Sequence, residues 1–275
     1  METTPRKHLT WQNYICVGFV WLITALLAFF IANTIIYSYK DFSFEVSETY
    51  IEPTFLAAGQ DYIKPGAVVK GTIYLTFDDG PGDYTAELLD VLQKYKIKAT
   101  FFVTGKGDDS LIAREYNDGH AIGLHTCSHN YSYVYANMDN FFADLNCVQN
   151  RVVNITGQPT NLIRFPGGSS NTVSRRYDKG SRIMSKLTRE VENRGFAYFD
   201  WNVDSDDAGR ARSAEEVYNN VTSRLKDGDN VILQHDIKPY SVAAVEHIII
   251  YGLENNYKFD KLSPSSYSAH HGVNN

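Results

Sequence analysis

The sequence predicts an α/β fold with parallel strands, preceded by one membrane-spanning helix. Three observations carry this. From Gly71 to about residue 259, apolar strand-like runs alternate with amphipathic helical stretches, the pattern of parallel strands joined by crossover helices. The polar residues suited to chemistry fall at the C-terminal ends of those runs, the edge at which parallel α/β folds build their sites. Finally, the stretch from Tyr14 to Tyr37 contains no charged residue and is long enough to cross a hydrocarbon core as a helix.

Taken in order, Arg6 and Lys7 precede the apolar stretch, and Lys40, Asp41, Glu45, Glu48 and Glu52 follow it. The positive-inside rule then assigns residues 1–13 to the cytoplasm and everything beyond the 14–37 anchor to the outside. The run exceeds a signal-peptide apolar region and no small-residue cleavage site follows, so an uncleaved single-pass anchor is expected. Residues 38–70, with Pro53, Gly59, Pro65 and Gly66, read as an extracellular stalk. Within 71–259, strands are predicted at 72–77, 99–104, 121–125, 162–165, 196–203 and 230–235. Helices are predicted at 85–95, 110–117, 139–154, 181–194, 214–226 and 242–255, with turn signals such as Asp118-Gly119 and Asp227-Gly228-Asp229 between them. Six such units suit an open doubly wound sheet or a small βα barrel, and periodicity does not separate the two. Residues 260–275 form a polar tail, expected to be disordered from Ser263 to Asn275, with His270 and His271 incidental.

The net charge of −6 argues against a nucleic-acid partner, which calls for a basic face. With 19 Tyr and 15 Phe the chain suits carbohydrate stacking, although composition alone does not show it. Cys16, Cys127 and Cys147 are too few for a disulfide framework. All three are expected to be free thiols, with a 127–147 bridge as the alternative.

The first strand ends in TFDDGPG, placing Asp78 and Asp79 side by side. Adjacent like charges are costly unless a cation or a shared proton lies between them. His125-Thr-Cys-Ser-His129 supplies two imidazoles. Read alone they are as well explained as two polar loop residues. Together with Asp79 they make a two-His-one-carboxylate set, which can hold zinc, cobalt or nickel and leave positions open for water and substrate. Asp78 is then free to serve as a general base. Arg164-Phe-Pro-Gly-Gly168 adds a cation at a strand end and a turn whose N–H groups can face a site. Trp201 reads as core or as a sugar platform. His235, in ILQHD, titrates near neutrality and fits a general acid only in the company of the other residues.

These five motifs, TFDDGPG, HTCSH, RFPGG, WNVDSDDA and VILQHD, stand in the order and spacing of the polysaccharide deacetylases, the carbohydrate esterase family 4 with the NodB homology domain. The chain resembles that family over about residues 70–259. The resemblance implies a distorted (β/α) barrel and metal-dependent removal of acetyl groups from polysaccharide, usually with zinc, while cobalt, nickel or manganese also suit the ligand set. Position by position it implies that Asp78 is the catalytic base, Asp79, His125 and His129 the metal ligands, and Arg164 the group orienting the base. It further implies that the Gly167 N–H receives the oxyanion, His235 is the general acid, Asp207 tunes that acid, and Leu233 lines the acetyl methyl pocket. One departure stands out: Ala208 occupies the place where many members carry a groove-forming Trp, which implies a differently walled groove. An anchored, outward-facing domain meets cell-wall polymer first, so peptidoglycan N-acetylglucosamine or N-acetylmuramic acid is the expected substrate. The alternatives are chitin-type or O-acetyl-xylan substrates, or a non-catalytic glycan-binding module. The expected partners are this polysaccharide and the membrane, with the protein itself a monomer.

Overall fold

The computed structural model of the chain describes Gly59 and residues 62–275. The expected cytoplasmic tail, the 14–37 anchor and most of the stalk therefore lie outside the described residues. Among the described residues no helix is long and apolar enough to cross a membrane.

The elements follow the predicted alternation: β1 (Gly71–Asp78), α1 (Thr85–Lys94), β2 (Thr100–Val103), α2 (Asp109–Asn117), β3 (Ala121–Leu124), α3 (Tyr131–Val134), α4 (Met138–Thr156) and β4 (Leu162–Ile163). A 3₁₀ turn at Val173–Arg176 leads to α5 (Ile183–Asn193), β5 (Ala197–Tyr198), β6 (Val203–Asp204), α6 (Ala214–Thr222), β7 (Asn230–His235), α7 (Pro239–Glu254) and β8 (Tyr257–Phe259). Local chemistry explains the helix boundaries. Asp108, Asn137 and Ser213 each accept a backbone N–H from the first turn of α2, α4 and α6, satisfying donors that have no partner inside a helix. Pro239 opens α7, where its missing N–H is harmless.

All strand pairs are parallel, and the sheet runs β5-β4-β3-β2-β1-β7-β6. Laid flat at about 4.8 Å per strand, β5 and β6 would stand roughly 29 Å apart. Only residues 199–202 join them, and five extended steps span at most about 17 Å. The sheet therefore curls until its two edges face each other, giving a barrel open between β5 and β6. The continuous strand expected at 196–203 is divided there, because the chain leaves one sheet edge and re-enters at the other. β8, which the sequence reading missed, pairs with Gly71–Ile73 of β1, on the side where β2 pairs with Thr76–Asp78.

Side chains along a strand alternate between faces, and this yields two apolar layers. Ile73, Leu75 and Phe77 point outward and pack beneath the helices with residues such as Leu88, Val148 and Ile248. Tyr74, Phe102, Leu162, Phe199 and Val231 fill the barrel interior.

Two expectations need correction. The tail is ordered: Leu262 and Ala269 are buried with the inner layer, His270 stacks on Tyr198 at 3.7 Å and its Nε2 bonds the Tyr198 carbonyl. His271 donates its backbone N–H to Asp200 and contacts the Trp201 carbonyl, so the tail lines the opening between β5 and β6. Its polar composition concealed two small apolar anchors and two rings that complete hydrogen bonds at the open edge. The second correction concerns the thiols. Cys127 and Cys147 are joined by a disulfide, with Cα atoms 5.7 Å apart, because α4 packs directly against the loop that follows β3. Upstream, Tyr62 is buried in the outer core, and the Lys70 N–H and carbonyl bond Asn256 and Gly228, so packing on the barrel begins before residue 71.

Candidate active site

The site lies at the C-terminal rim of the strands. The inward faces of β1 and β7 place Asp78 and His235 as register partners on neighbouring strands. Asp79 should point to the opposite face, but its backbone adopts φ 74°. This left-handed conformation, rare for a residue with a Cβ, turns the second carboxylate into the same cleft. The turn that follows is tight: a Cβ on Gly80 would lie 2.1 Å from Asp236 Oδ2 and would have to displace that carboxylate.

His125 follows β3, and its Nδ1 lies 2.8 Å from the Arg164 carbonyl. The ring donates there, which fixes the tautomer and leaves the Nε2 lone pair facing Asp79. Asp79 Oδ1 lies 3.6 Å from His125 Nε2 and 3.3 Å from His129 Nε2, and the three ligand atoms all fall within 4.8 Å of one another. Asp79 Oδ1 is buried without a hydrogen-bond partner. A buried, orphaned carboxylate oxygen facing two imidazole nitrogens is what a cation site requires. The charge states agree. Burial alone would raise the Asp79 pKa, but His125, His129 and His235 outweigh it and hold the carboxyl below its ordinary range. Burial, and then His125, lower His129. An anionic carboxylate and a neutral imidazole are the forms that bind metal.

Behind the cleft, Arg164 is fully buried on the inner face beside β4. Its Nη1 donates to Asp78 Oδ1 at 2.9 Å and to Thr76 Oγ1 at 2.7 Å, while Nε and Nη2 donate to the Phe199 and Asp200 carbonyls. The Phe102 ring lies 4.3 Å beneath the guanidinium. Four of its five N–H donors are thus occupied, and Oδ2 of Asp78 is left toward the cleft, 3.7 Å from His125 Nε2. Asp207, also buried, takes the His235 ring at Nδ1–Oδ1 2.8 Å and the His235 backbone N–H at Oδ2 2.7 Å. Burial alone would lower the His235 pKa. The hydrogen bond and charge of Asp207, with Asp78 and Asp79, override it and raise the imidazole to about 9.

The cleft has a volume of about 400 Å³ and is lined by Asp78, Asp79, His125, His129, Gly167, Trp201, Leu233 and His235, among others. These are the predicted site residues, brought together with Arg164 and Asp207 directly behind them. Trp201 is half-buried: it lines the cleft while its ring packs against His271 and Gly168. Ala208 is exposed on the cleft wall. Sequence reasoning missed Tyr131, whose ring meets His129 edge-on at 5.4 Å, and the wall carboxylate of Asp206. An aromatic two residues beyond His129 was a usable signal for the first; the second stands in the acidic WNVDSDDA stretch, which offers carboxylates at a strand end but gives Asp206 no role of its own.

A family model for polysaccharide deacetylase matches residues 66–181. A peptidoglycan-N-acetylglucosamine deacetylase of Bacillus cereus is 36% identical over 206 residues, covering 70% of this chain and 70% of the relative. The chain belongs to the polysaccharide deacetylase family. As a member it is a deacetylase, a hydrolase. Solved structures agree. The catalytic domain of peptidoglycan N-acetylglucosamine deacetylase from Eubacterium rectale is 48% identical with TM-score 0.72, over 80% of this chain and 99% of that one. A polysaccharide deacetylase from Bacillus cereus is 35% identical with TM-score 0.63, over 72% of this chain and 94% of that one. The expected barrel is therefore the family fold, seen here as a curled parallel sheet.

Proposed function

We propose that this deacetylase hydrolyses the acetamido groups of peptidoglycan N-acetylglucosamine, with a divalent cation held by Asp79, His125 and His129. The observation that carries the proposal is the convergence of those three ligands on one cleft with Asp78 and His235 beside them. The relatives named above, two of them peptidoglycan N-acetylglucosamine deacetylases, support the substrate. Zinc suits two imidazoles and a carboxylate, and such a cation supplies Lewis acidity, polarising a carbonyl and acidifying water. The chain's own residues do the rest. Arg164 orients the Asp78 carboxylate, so Oδ2 can take a proton from the attacking water. The Gly167 N–H donates to the oxygen that becomes negative as the carbonyl carbon turns tetrahedral. Leu233 gives the acetyl methyl an apolar wall, and Trp201 offers the sugar ring a face. His235, protonated through Asp207, gives its Nε2 proton to the departing amine, and acetate and the free amino sugar result.

We also place the enzyme outside the cell on a 14–37 anchor. The Cys127–Cys147 bridge supports this, since disulfides persist in oxidising compartments. The test is acetate release from purified peptidoglycan by the full chain, with zinc or cobalt and after chelation, beside His125→Ala. Metal-dependent release lost in the variant is expected. Release from chitooligomers or acetylxylan but not from peptidoglycan would overturn the substrate, and release indifferent to chelation would overturn the metal.

A further inference from the structure

The loop carrying both imidazoles is held in a conformation it would not choose. Thr126 and His129 have φ 64° and 49°, in the left-handed region that residues with a Cβ rarely occupy. The Thr126 hydroxyl is buried without a partner. Something outside the loop must impose this geometry, and Cys127, between the two strained residues, is where it acts. Its side chain is bonded to Cys147. Its N–H and that of Ser128 both donate to Asp144 Oδ1, at 2.7 and 2.9 Å. Its carbonyl accepts the Gly105 N–H at 2.9 Å, with Gly105 so close that a Cβ there would lie 2.5 Å from Cys127 Sγ. Asp144 and Cys147 are three apart on α4, hence on one face. That helix is a firm base, capped at Asn137 and closed by Gly157 at φ 73°.

The two imidazoles depend on this unequally. His125 leaves β3 directly and is oriented by the Arg164 carbonyl. His129 lies beyond the held residues, and its side chain is 25% exposed against 3% for His125. We propose that the Cys127–Cys147 bridge and Asp144 form one clamp that holds this loop in its metal-binding conformation, acting chiefly on His129. Affinity for a divalent cation then depends on residues that touch no metal. The inference rests on Asp79, His125 and His129 being a metal site, as put forward above.

Groups that orient metal ligands typically change affinity by about 10–100-fold. The experiment measures zinc and cobalt affinity of the metal-stripped full chain by competition with a chelating dye, together with the visible spectrum of the cobalt form and the melting temperature. The variants are Cys127→Ala/Cys147→Ala, Asp144→Ala and Asp144→Asn. Leu253→Ala, in the outer core on α7, serves as a control of comparable destabilisation. The double cysteine variant and Asp144→Ala should each bind about 10–100-fold more weakly, with an altered cobalt spectrum, and recover acetate release at saturating metal. Asp144→Asn keeps an acceptor oxygen and should stay close to wild type. Leu253→Ala should melt lower and bind metal normally. If both clamp variants fold and bind as tightly as wild type, the clamp is a general staple and the inference is wrong. If the double cysteine variant does not fold, Asp144→Ala decides alone. If wild type itself binds no stoichiometric metal, the metal reading fails, and the inference with it, a different result from a variant that binds normally.

Discussion

Asp207→Asn is the sharpest probe of the site, because it changes one charge and almost no volume. Asp207 holds the His235 imidazole at about 9 against a burial that would lower it. Relative to the ordinary 6.5 this preference for the imidazolium is on the order of 3 kcal/mol. Without the carboxylate, the largest raising influence is gone and burial draws His235 down, opposed only by the charges of Asp78 and Asp79; the ordinary 6.5 serves as the reference for the variant. At pH 8 an imidazole titrating at about 9 is ~90% protonated and one titrating at 6.5 is ~3%. A general acid works only in its protonated form, so activity falls as pH rises through its pKa. The variant should therefore show a deficit of about 30-fold in kcat/KM at pH 8 that shrinks to less than about twofold at pH 6. The assay is acetate release from a soluble acetylated oligosaccharide between pH 5.5 and 9.5 at saturating metal. An alkaline limb that stays near its wild-type position would refute the Asp207–His235 assignment. A deficit equal at every pH would show that Asp207 only positions the ring.

Three further outcomes follow from the same geometry. Asp78→Asn should lose about 10²–10⁴-fold in kcat while still binding zinc with near-wild-type affinity, and near-normal turnover with metal bound would remove Asp78 as the base. Arg164→Met leaves the buried Asp78 carboxylate unpaired, an effect worth about 3–5 kcal/mol. It should lower Tm by about 10 °C in thermal unfolding, and a drop below about 2 °C would contradict the pairing. Asp236, buried behind Gly80 and bonded to Thr85, has its carboxyl raised by burial to about 7. A raised pKa means that the folded state holds the proton more tightly. Its contribution is then fully present below about pH 4 and lost as pH rises toward 7. Urea unfolding of Asp236→Asn should show a flatter stability profile between pH 4 and 7 than wild type; parallel profiles would exclude Asp236 as the titrating group.

Much of the site was legible because parallel α/β folds concentrate chemistry at one sheet edge. Asp78, His125, Arg164 and His235 each close or follow a strand, so locating the strands located them. The elements that escaped are those whose partners lie far along the chain. β8 is three residues with no local signature, stabilised by pairing with β1. The 260–275 tail looked unstructured because its order comes from Tyr198, Asp200 and Trp201 at the open sheet edge. The disulfide was misjudged because a count of three cysteines says nothing about which two become neighbours. It took the packing of α4 on the loop after β3 to decide that.

By itself the sequence determined the strand–helix alternation, the identity of the ionisable groups and their assignment to one rim, because periodicity and strand-end position are local properties. Only the tertiary structure decided how those groups serve the chemistry. Parallel pairing sets β7 beside β1, strands far apart along the chain, so Asp78 and His235 become register partners. Left-handed backbone at Asp79, Thr126 and His129 turns the three ligand atoms inward. Arg164 finds Asp78 across 86 positions of sequence, and Asp207 finds His235 across 28. Charge state, tautomer and strain depend on such distant contacts, since a pKa or a ring orientation is set by whatever lies within a few ångströms, wherever it stands along the chain.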